Sequence, residues 1–459
     1  MTGSTYDVVI LGGGSGGYAA ALRAADLGLS VALVEEGKLG GTCLHSGCIP
    51  TKALLHAAEV AEVSRQAASV GVRASFEGID LAGLYAYRDG VVDRLYKGLR
   101  GLVAARDVTL VHGRGRLVSP TAVRVGEVTC SARKAVVLAT GSVARSVPGL
   151  EFGGRVLSST EALSLPELPR SAIILGGGVI GVEFASLWRS FGVDVTIVEA
   201  LPSLVPNEDP SCGKALERAF RRRGVTVRTG VRVDAVEQNA SRVSVSLEAG
   251  VPLEAEVLLV AVGRGPRTTG MGFEDIGVTL DRGFVRVDDT LRTQVPGVFA
   301  VGDIVDGLQL AHRGFQHGMF VAEEIAGLAP TPVADAHIPR VTYSDPEVAS
   351  VGLTEAQAKE KFGADRVECV EYDLAGNGRS QIIGTSGFVK LVRDKDGPVV
   401  GVHMVGVRVG ELIGEAQLTV AWEAHPGDVA PLAHAHPTQN EALGEAFLAL
   451  AGKPLHAHR

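Results

Sequence analysis

The chain has 459 residues, 46% of them hydrophobic, and a formal net charge of −8, which is long enough for roughly two to four domains. Its acidity argues against nucleic acid or an anionic membrane as the main partner, and no apolar run approaches the roughly 20 residues that span a bilayer. The opening Met1-Thr2-Gly3-Ser4-Thr5 lacks the basic segment and apolar core of a secretory signal. Five cysteines are an odd number and too few for a disulfide framework, so a cytoplasmic protein is expected.

Residues 7–11 read as a buried parallel strand that runs straight into Gly12, Gly14 and Gly17, spaced as G-x-G-x-x-G. Residues 18–27 read as an alanine-rich helix ended by Gly28, and residues 30–34 as a second strand with Glu35 at its carboxyl end. The first glycine permits the turn, the second lets a pyrophosphate approach the backbone, and the third lets helix and strand pack closely. The phosphates meet the free N–H groups of the helix start, and Glu35 accepts hydrogen bonds from a ribose.

Next comes Gly40-Gly41-Thr42-Cys43-Leu44-His45-Ser46-Gly47-Cys48-Ile49-Pro50-Thr51-Lys52. Two cysteines so spaced are buried core residues, zinc ligands or a redox pair. Zinc needs further ligands at short spacing, whereas Cys130, Cys212 and Cys369 stand apart from one another and from any histidine cluster. Ser46 and Gly47 leave the loop flexible enough to close a disulfide. A helical stretch is expected over 53–60, and a helix start plus Lys52 lowers a thiol pKa as redox exchange requires. Redox use is the favoured reading.

Residues 135–142 read as a strand entering a turn. The βαβ pattern then recurs: a strand at 172–175, glycines Gly176, Gly178 and Gly181, a helix at 182–191, and a strand at 194–198 ending in Glu199. An internal repeat of this size implies two dinucleotide-binding domains. Glu199 suits the free 2′-hydroxyl of NAD and would repel the 2′-phosphate of NADP; residues 200–207 hold no lysine or arginine. A strand-to-glycine run at 257–263 follows the second copy. Residues 298–303 repeat a strand–glycine–acid pattern that places Asp303 on the ribityl or pyrophosphate part of a flavin. From 343 onward, strands at 387–392 and 399–405 and helices at 412–422 and 439–450 suggest a separate α+β domain. The expected limits are 1–150 for the first part of the flavin domain, 151–280 for the NAD domain, 281–342 for a return to the first domain, and 343–459 for the last.

In this order and over nearly the whole chain, these motifs resemble the pyridine nucleotide–disulfide oxidoreductase family, and within it the branch that oxidises protein-bound dihydrolipoamide with NAD⁺. The resemblance rests on the two glycine fingerprints, the 41–52 segment, Ala139-Thr140-Gly141, residues 293–303 and the His-Pro motif near the end. It implies an α/β fold of two Rossmann-like domains, one for FAD and one for NAD, with a C-terminal α+β dimerisation domain and no metal. It implies a homodimer whose partners are lipoyl-bearing proteins of 2-oxo acid dehydrogenase or glycine cleavage complexes. Cys43 would exchange with the dithiol, Cys48 would form the charge-transfer thiolate against the flavin, and Lys52 would sit by the flavin paired with Glu183.

His436, followed by Pro437 and by Glu441 five positions on, resembles the family's base and its orienting carboxylate, acting on the disulfide of the other subunit; His434 has no such role in the pattern. Carried over residue by residue, the FAD set is Gly12, Gly14, Gly17, Glu35, Gly41, Thr42, Lys52, Gly115, Thr140, Gly141, Ser142, Asp303, Leu310, Ala311 and His312. The NAD set is Gly176, Gly178, Val179, Ile180, Gly181, Glu183, Glu199, Val233 and Gly263.

Two departures matter. His45-Ser46 stands where the family commonly has Asn-Val, which touches the potential and pH dependence of the disulfide rather than its sulfurs. Val179 stands where some relatives place a tyrosine over the flavin, and an aliphatic residue there opposes the glutathione-type alternative. Mercuric and large thioredoxin reductases carry a terminal cysteine pair, whereas the last cysteine here is Cys369. A structural subunit with an idle redox site is the rival from another class.

Overall fold

The computed structural model describes residues 3–248 and 250–456. Its first sheet grows around Val8–Leu11, a run too apolar to face water on either side, which pairs in parallel with Val31–Val34 and with Ala135–Leu138. The strand Gly3–Leu11 begins earlier than its apolar signal. Its polar first half lies against Thr129–Ala132, where backbone pairing, not burial, extends it. The strand Val128–Leu138 is long for a related reason: its first half also carries an antiparallel meander formed with Ala122–Val125 and Gly115–Ser119. Thr109–His112 closes one side of the sheet, and Val298–Ala300 pairs with Val136–Leu138.

Helix Ser15–Asp26 follows the first strand and packs against helix Ala311–Ala326. The approach is close enough that a Cβ on Gly318 would strike the Gly16 carbonyl. The second sheet is parallel, in the order Thr226–Thr229, Asp194–Glu199, Ser171–Leu175, Val257–Val260, Val156–Leu157. Its helix Val179–Ser190 starts directly at Gly178, three residues ahead of the apolar periodicity.

The third sheet is antiparallel, in the order Arg340–Thr342, Glu347–Gly352, Val399–Gly406, Phe388–Asp394, Val367–Asp373. Helices Ile413–Ala421 and Glu441–Leu450 cover it, around a core of Leu391, Met404, Leu443 and Phe447. Buried ion pairs tie this unit to the second: Arg340 to Glu208 at 3.0 Å and Lys390 to Asp209 at 2.9 Å. No helix among the described residues is long and apolar enough to cross a membrane.

Candidate active site

The two glycine turns are nearly superimposable in their backbone demands. Gly12 and Gly176 have φ of +110° and +109°, in the left-handed region that favours glycine. A Cβ on Gly17 would collide with the Gly12 carbonyl, and one on Gly181 with the Gly176 carbonyl, so these glycines set helix–strand contact. Gly14 has nothing nearer than 4.0 Å and Gly178 nothing within 4 Å. Each is the N-cap of its helix and supplies no side-chain cap, which leaves donors open to a phosphate. The acids repeat too. Glu35 accepts the N–H groups of Gly13 and Gly37, both at 2.7 Å; Glu199 accepts those of Gly177 at 2.6 Å and Leu201 at 2.7 Å. A carboxylate has about four acceptor positions, so each keeps capacity for a ribose. Both cradles fit a dinucleotide.

A cavity of about 600 Å³ opens over the first cradle, lined by Gly12, Gly14, Glu35, Gly41, Thr42, Gly115, Thr140, Gly141 and Ser142 from the anticipated flavin set. Gly17 lies behind it in the helix–strand contact. Asp303 is one hydrogen bond behind Ser142, whose hydroxyl donates to its Oδ2 at 2.5 Å. Sequence reasoning missed Lys38, Arg114, Arg264 and Arg267, which also line the cavity, and singled out His45 for the disulfide alone, although it lines this wall too. Arg264 donates to the Ser142 hydroxyl at 2.7 Å and to its carbonyl at 2.8 Å. Burial pulls its pKa down, against the pull of the nearby Asp303 and Cys48 charges. It arrives because Arg264–Pro266 pairs antiparallel with Ser142–Ala144. An arginine between two glycines just after a strand was the available signal.

Leu310, Ala311 and His312 form the start of helix Ala311–Ala326 and do not line the cavity; the His312 ring is bonded to the Pro339 carbonyl at 2.7 Å. At the second cradle Val179, 40% exposed, and Ile180 begin the helix. Val233 begins the strand Val233–Gln238, and Gly263 turns the chain with φ of +112° after Val257–Val260.

Cys43 lies in the short helix Gly41–His45, and Cys48 is the first residue of helix Cys48–Gln66. The helix thus starts five residues before the anticipated stretch, with the sulfur itself at its N-terminus. A hydrogen bond from Cys43 brings the Cys48 thiol down to about 7; burial opposes this and the Lys52 charge assists it. The same bond, with burial, pushes the Cys43 thiol up. Lys52 Nζ meets the two carboxylate oxygens of Glu183 at 2.9 and 2.8 Å, and Glu183 is buried at 3% exposure. Burial works against the Lys52 charge, but Glu183 keeps its pKa raised.

The candidate acid–base group is exposed. His436 Nδ1 lies 2.9 Å from Glu441 Oε1, and Glu441 Oε2 accepts the Thr438 N–H at 2.7 Å. Partial burial raises the Glu441 pKa, but the Thr438 N–H and the His436 ring hold it below the usual carboxylate range. An ionised carboxylate only accepts, so Nδ1 carries the hydrogen and Nε2 is the basic nitrogen. The His436 side chain is 79% exposed. His434, by contrast, is turned inward onto Glu415 at 2.9 Å, which also holds Asn440. Within one chain the polar partner of His436 is Glu441, while the cysteines are set among each other, Ser15 and Lys52.

Residues 6–318 match the family described as pyridine nucleotide-disulphide oxidoreductase, and residues 338–447 match its dimerisation domain. The chain is 40% identical to a dihydrolipoyl dehydrogenase of Bacillus subtilis (strain 168), covering 98% of this chain and 99% of the relative. It is 38% identical to a leghemoglobin reductase of Glycine max, covering 98% and 88%. Among solved structures it resembles LpdA from Mycobacterium tuberculosis, with a TM-score of 0.89 at 26% identity over 98% of this chain and all of the other. The HOCl-induced flavoprotein disulfide reductase RclA from Escherichia coli gives 0.85 at 29% identity over 96% and 99%. With two dinucleotide cradles, a cysteine pair between them and a dimerisation domain behind, the chain belongs to the pyridine nucleotide-disulphide oxidoreductase family.

Proposed function

We infer that the protein is a dihydrolipoyl dehydrogenase, an FAD-containing homodimer that oxidises protein-bound dihydrolipoamide and reduces NAD⁺. The observation that carries this reading is Cys48: the first residue of a helix, hydrogen-bonded to Cys43 and beside the Lys52 ammonium, which the buried Glu183 carboxylate holds. An idle site would have no use for that arrangement. The relatives at about 40% identity over the whole chain support it. Glu199, with no cation in residues 200–207, supports NAD over NADP.

Gly12, Gly14 and Gly17 would hold the FAD pyrophosphate, Glu35 its ribose, and the Arg264–Ser142–Asp303 chain the ribityl side; Gly176, Gly178, Gly181 and Glu199 would do the same for NAD. A bound flavin would supply two-electron chemistry between the Cys48 thiolate and the nicotinamide. The chain's own residues move the protons and the disulfide. His436 of the partner subunit takes a substrate thiol proton on Nε2, and Glu441 stabilises the imidazolium. The substrate thiolate attacks the Cys43 sulfur, the Cys43–Cys48 bond breaks, and Cys48 leaves as thiolate. The second substrate thiol then displaces Cys43 and passes its own proton to the Cys43 sulfur as the cyclic disulfide departs, while the partner's His436 keeps the first proton until it is released to solvent. A Cys48 pKa near 7 makes it a good leaving group. Lipoyl-bearing proteins of a cytoplasmic 2-oxo acid dehydrogenase or glycine cleavage complex, and domain limits near 150, 280 and 342, complete the reading.

Flavin-loaded protein should form NADH from dihydrolipoamide and NAD⁺, while glutathione and NADPH should be poor substrates. Subunit mixing tests the base. C43S and H436Q homodimers should each be inactive, and random heterodimers hold one intact site of two, so about a quarter of wild-type activity returns. No recovery on mixing would place the base elsewhere.

A further inference from the structure

Lys52 must keep its ammonium at one point, yet a lysine carries about 2 kcal/mol of rotamer entropy and its side chain here is 31% exposed. Glu183 restrains it from one side only. From another side Nζ lies over the Tyr343 ring, 4.8 Å from the centroid. The ring is delivered by backbone fastened to the same helix that carries Glu183. The Tyr343 N–H donates to Glu183 Oε1 at 3.0 Å, and the Asp345 N–H donates to the Ser186 hydroxyl at 3.0 Å. Glu183 and Ser186 are one turn apart, so the segment reads along one helix face. Arg223 ties it further by donating to the Asp345 carbonyl at 3.1 Å. Among the described residues the Tyr343 hydroxyl has no protein hydrogen-bond partner, and the residue is 38% exposed.

We propose that Tyr343 is a positioning residue for the redox centre, holding Lys52 against Cys48 and the flavin site through the face of its ring. This rests on the reading of Cys48 as the flavin-facing thiolate. Tyr343 lies within the segment matched to the dimerisation domain, so all three units contribute to one ion pair: Lys52 from the first, Glu183 from the second, Tyr343 from the third. A ring face attracts a cation through its quadrupole, which phenylalanine shares and leucine lacks. The charges and titratable groups around Cys48 are Cys43, Lys52, Glu183, Tyr18 and Arg264; the leucine exchange alters none of them, only where Lys52 stands.

The test is a pH titration of the thiolate–flavin charge-transfer absorbance in holoenzyme reduced by one equivalent of dithiol. Y343F should keep the wild-type midpoint, while Y343L should raise it by about half a unit to one unit. An unmoved midpoint in Y343L overturns the proposal and leaves the function intact, because that is checked separately by NADH formation. A Y343F shift as large as that of Y343L also overturns it, by placing the effect on the hydroxyl. Wild-type enzyme with no charge-transfer band would overturn both readings. If Y343L does not retain flavin, Y343M carries the same comparison.

Discussion

Glu35 and Glu199 grip their glycine loops alike, each accepting two backbone N–H groups, yet their surroundings diverge. Glu35 sits at the rim of a cavity that Lys38, Arg114, Arg264 and Arg267 also line. Glu199 is buried at 8% exposure, and residues 200–207 bring no cation. Lys38 follows the βαβ unit directly, but the other cations over the first site come from far along the chain. Arg264 and Arg267 lie just past the last strand of the second sheet and are folded back by the Ser142–Ala144 pairing. One backbone device thus recurs at both cradles, and later chain brings a rim of cations to the first.

The sharpest way to break this comparison is at glycines of different duty, one packed behind the first turn and one open at the second. Gly17→Ala drives a methyl into the Gly12 carbonyl, an overpacking of about 1–3 kcal/mol or more at the turn proposed for the flavin. Purified G17A should retain under roughly a tenth of wild-type flavin by absorbance and melt lower. Gly178→Ala meets no protein atom within 4 Å, so flavin content and Tm should stay as they are. Its methyl points where the NAD pyrophosphate approaches, and KM for NAD⁺ should rise about tenfold. A G17A that keeps its flavin would show that the Gly12 turn does not set flavin retention. Next in size is Glu199→Gln. The amide leaves one of two buried N–H groups facing a donor, at about 1.5–3 kcal/mol; KM for NAD⁺ should rise by about tenfold or more while flavin content holds. E35Q, less buried, should lose less.

The βαβ units were legible because apolar period, glycine spacing and terminal acid all act within 30 residues and agree with one another. Lys52–Glu183 was reached through family resemblance alone, since nothing local to either residue points to the other. The cation rim was barely legible: an arginine between two glycines marks Arg264, but its reach to Ser142 across 122 positions is encoded by no local pattern. His312 shows the converse. It falls in a segment that resembles a flavin contact, but its ring turns to the Pro339 carbonyl, a choice made by packing between the first and third units. Residues 3–6 carry no apolar alternation, yet they extend a strand because Thr129–Ala132 offers a free edge. Such pairing is a property of the partner strand, so a reading of residues 3–6 alone does not contain it.

The rim itself can be graded. Arg264→Met removes two hydrogen bonds to Ser142 and leaves the Asp303 charge with Ser142 alone. Flavin should then dissociate about tenfold faster, equivalent to about 1.4 kcal/mol. Arg267→Ala is the smallest change. Its ion pair with Glu36 is open to water, with side-chain exposures of 38% and 34%, and such pairs contribute about 0–1 kcal/mol. Its structural part is independent of the side chain, because the Thr140 hydroxyl donates to the Arg267 main-chain carbonyl at 2.5 Å. Flavin release from R267A should therefore stay within about fivefold of wild type, and the difference should shrink as salt screens the pair. Release as fast as in R264M, and insensitive to salt, would mean that the first site is closed by its whole ring of cations and not by Arg264 through Ser142.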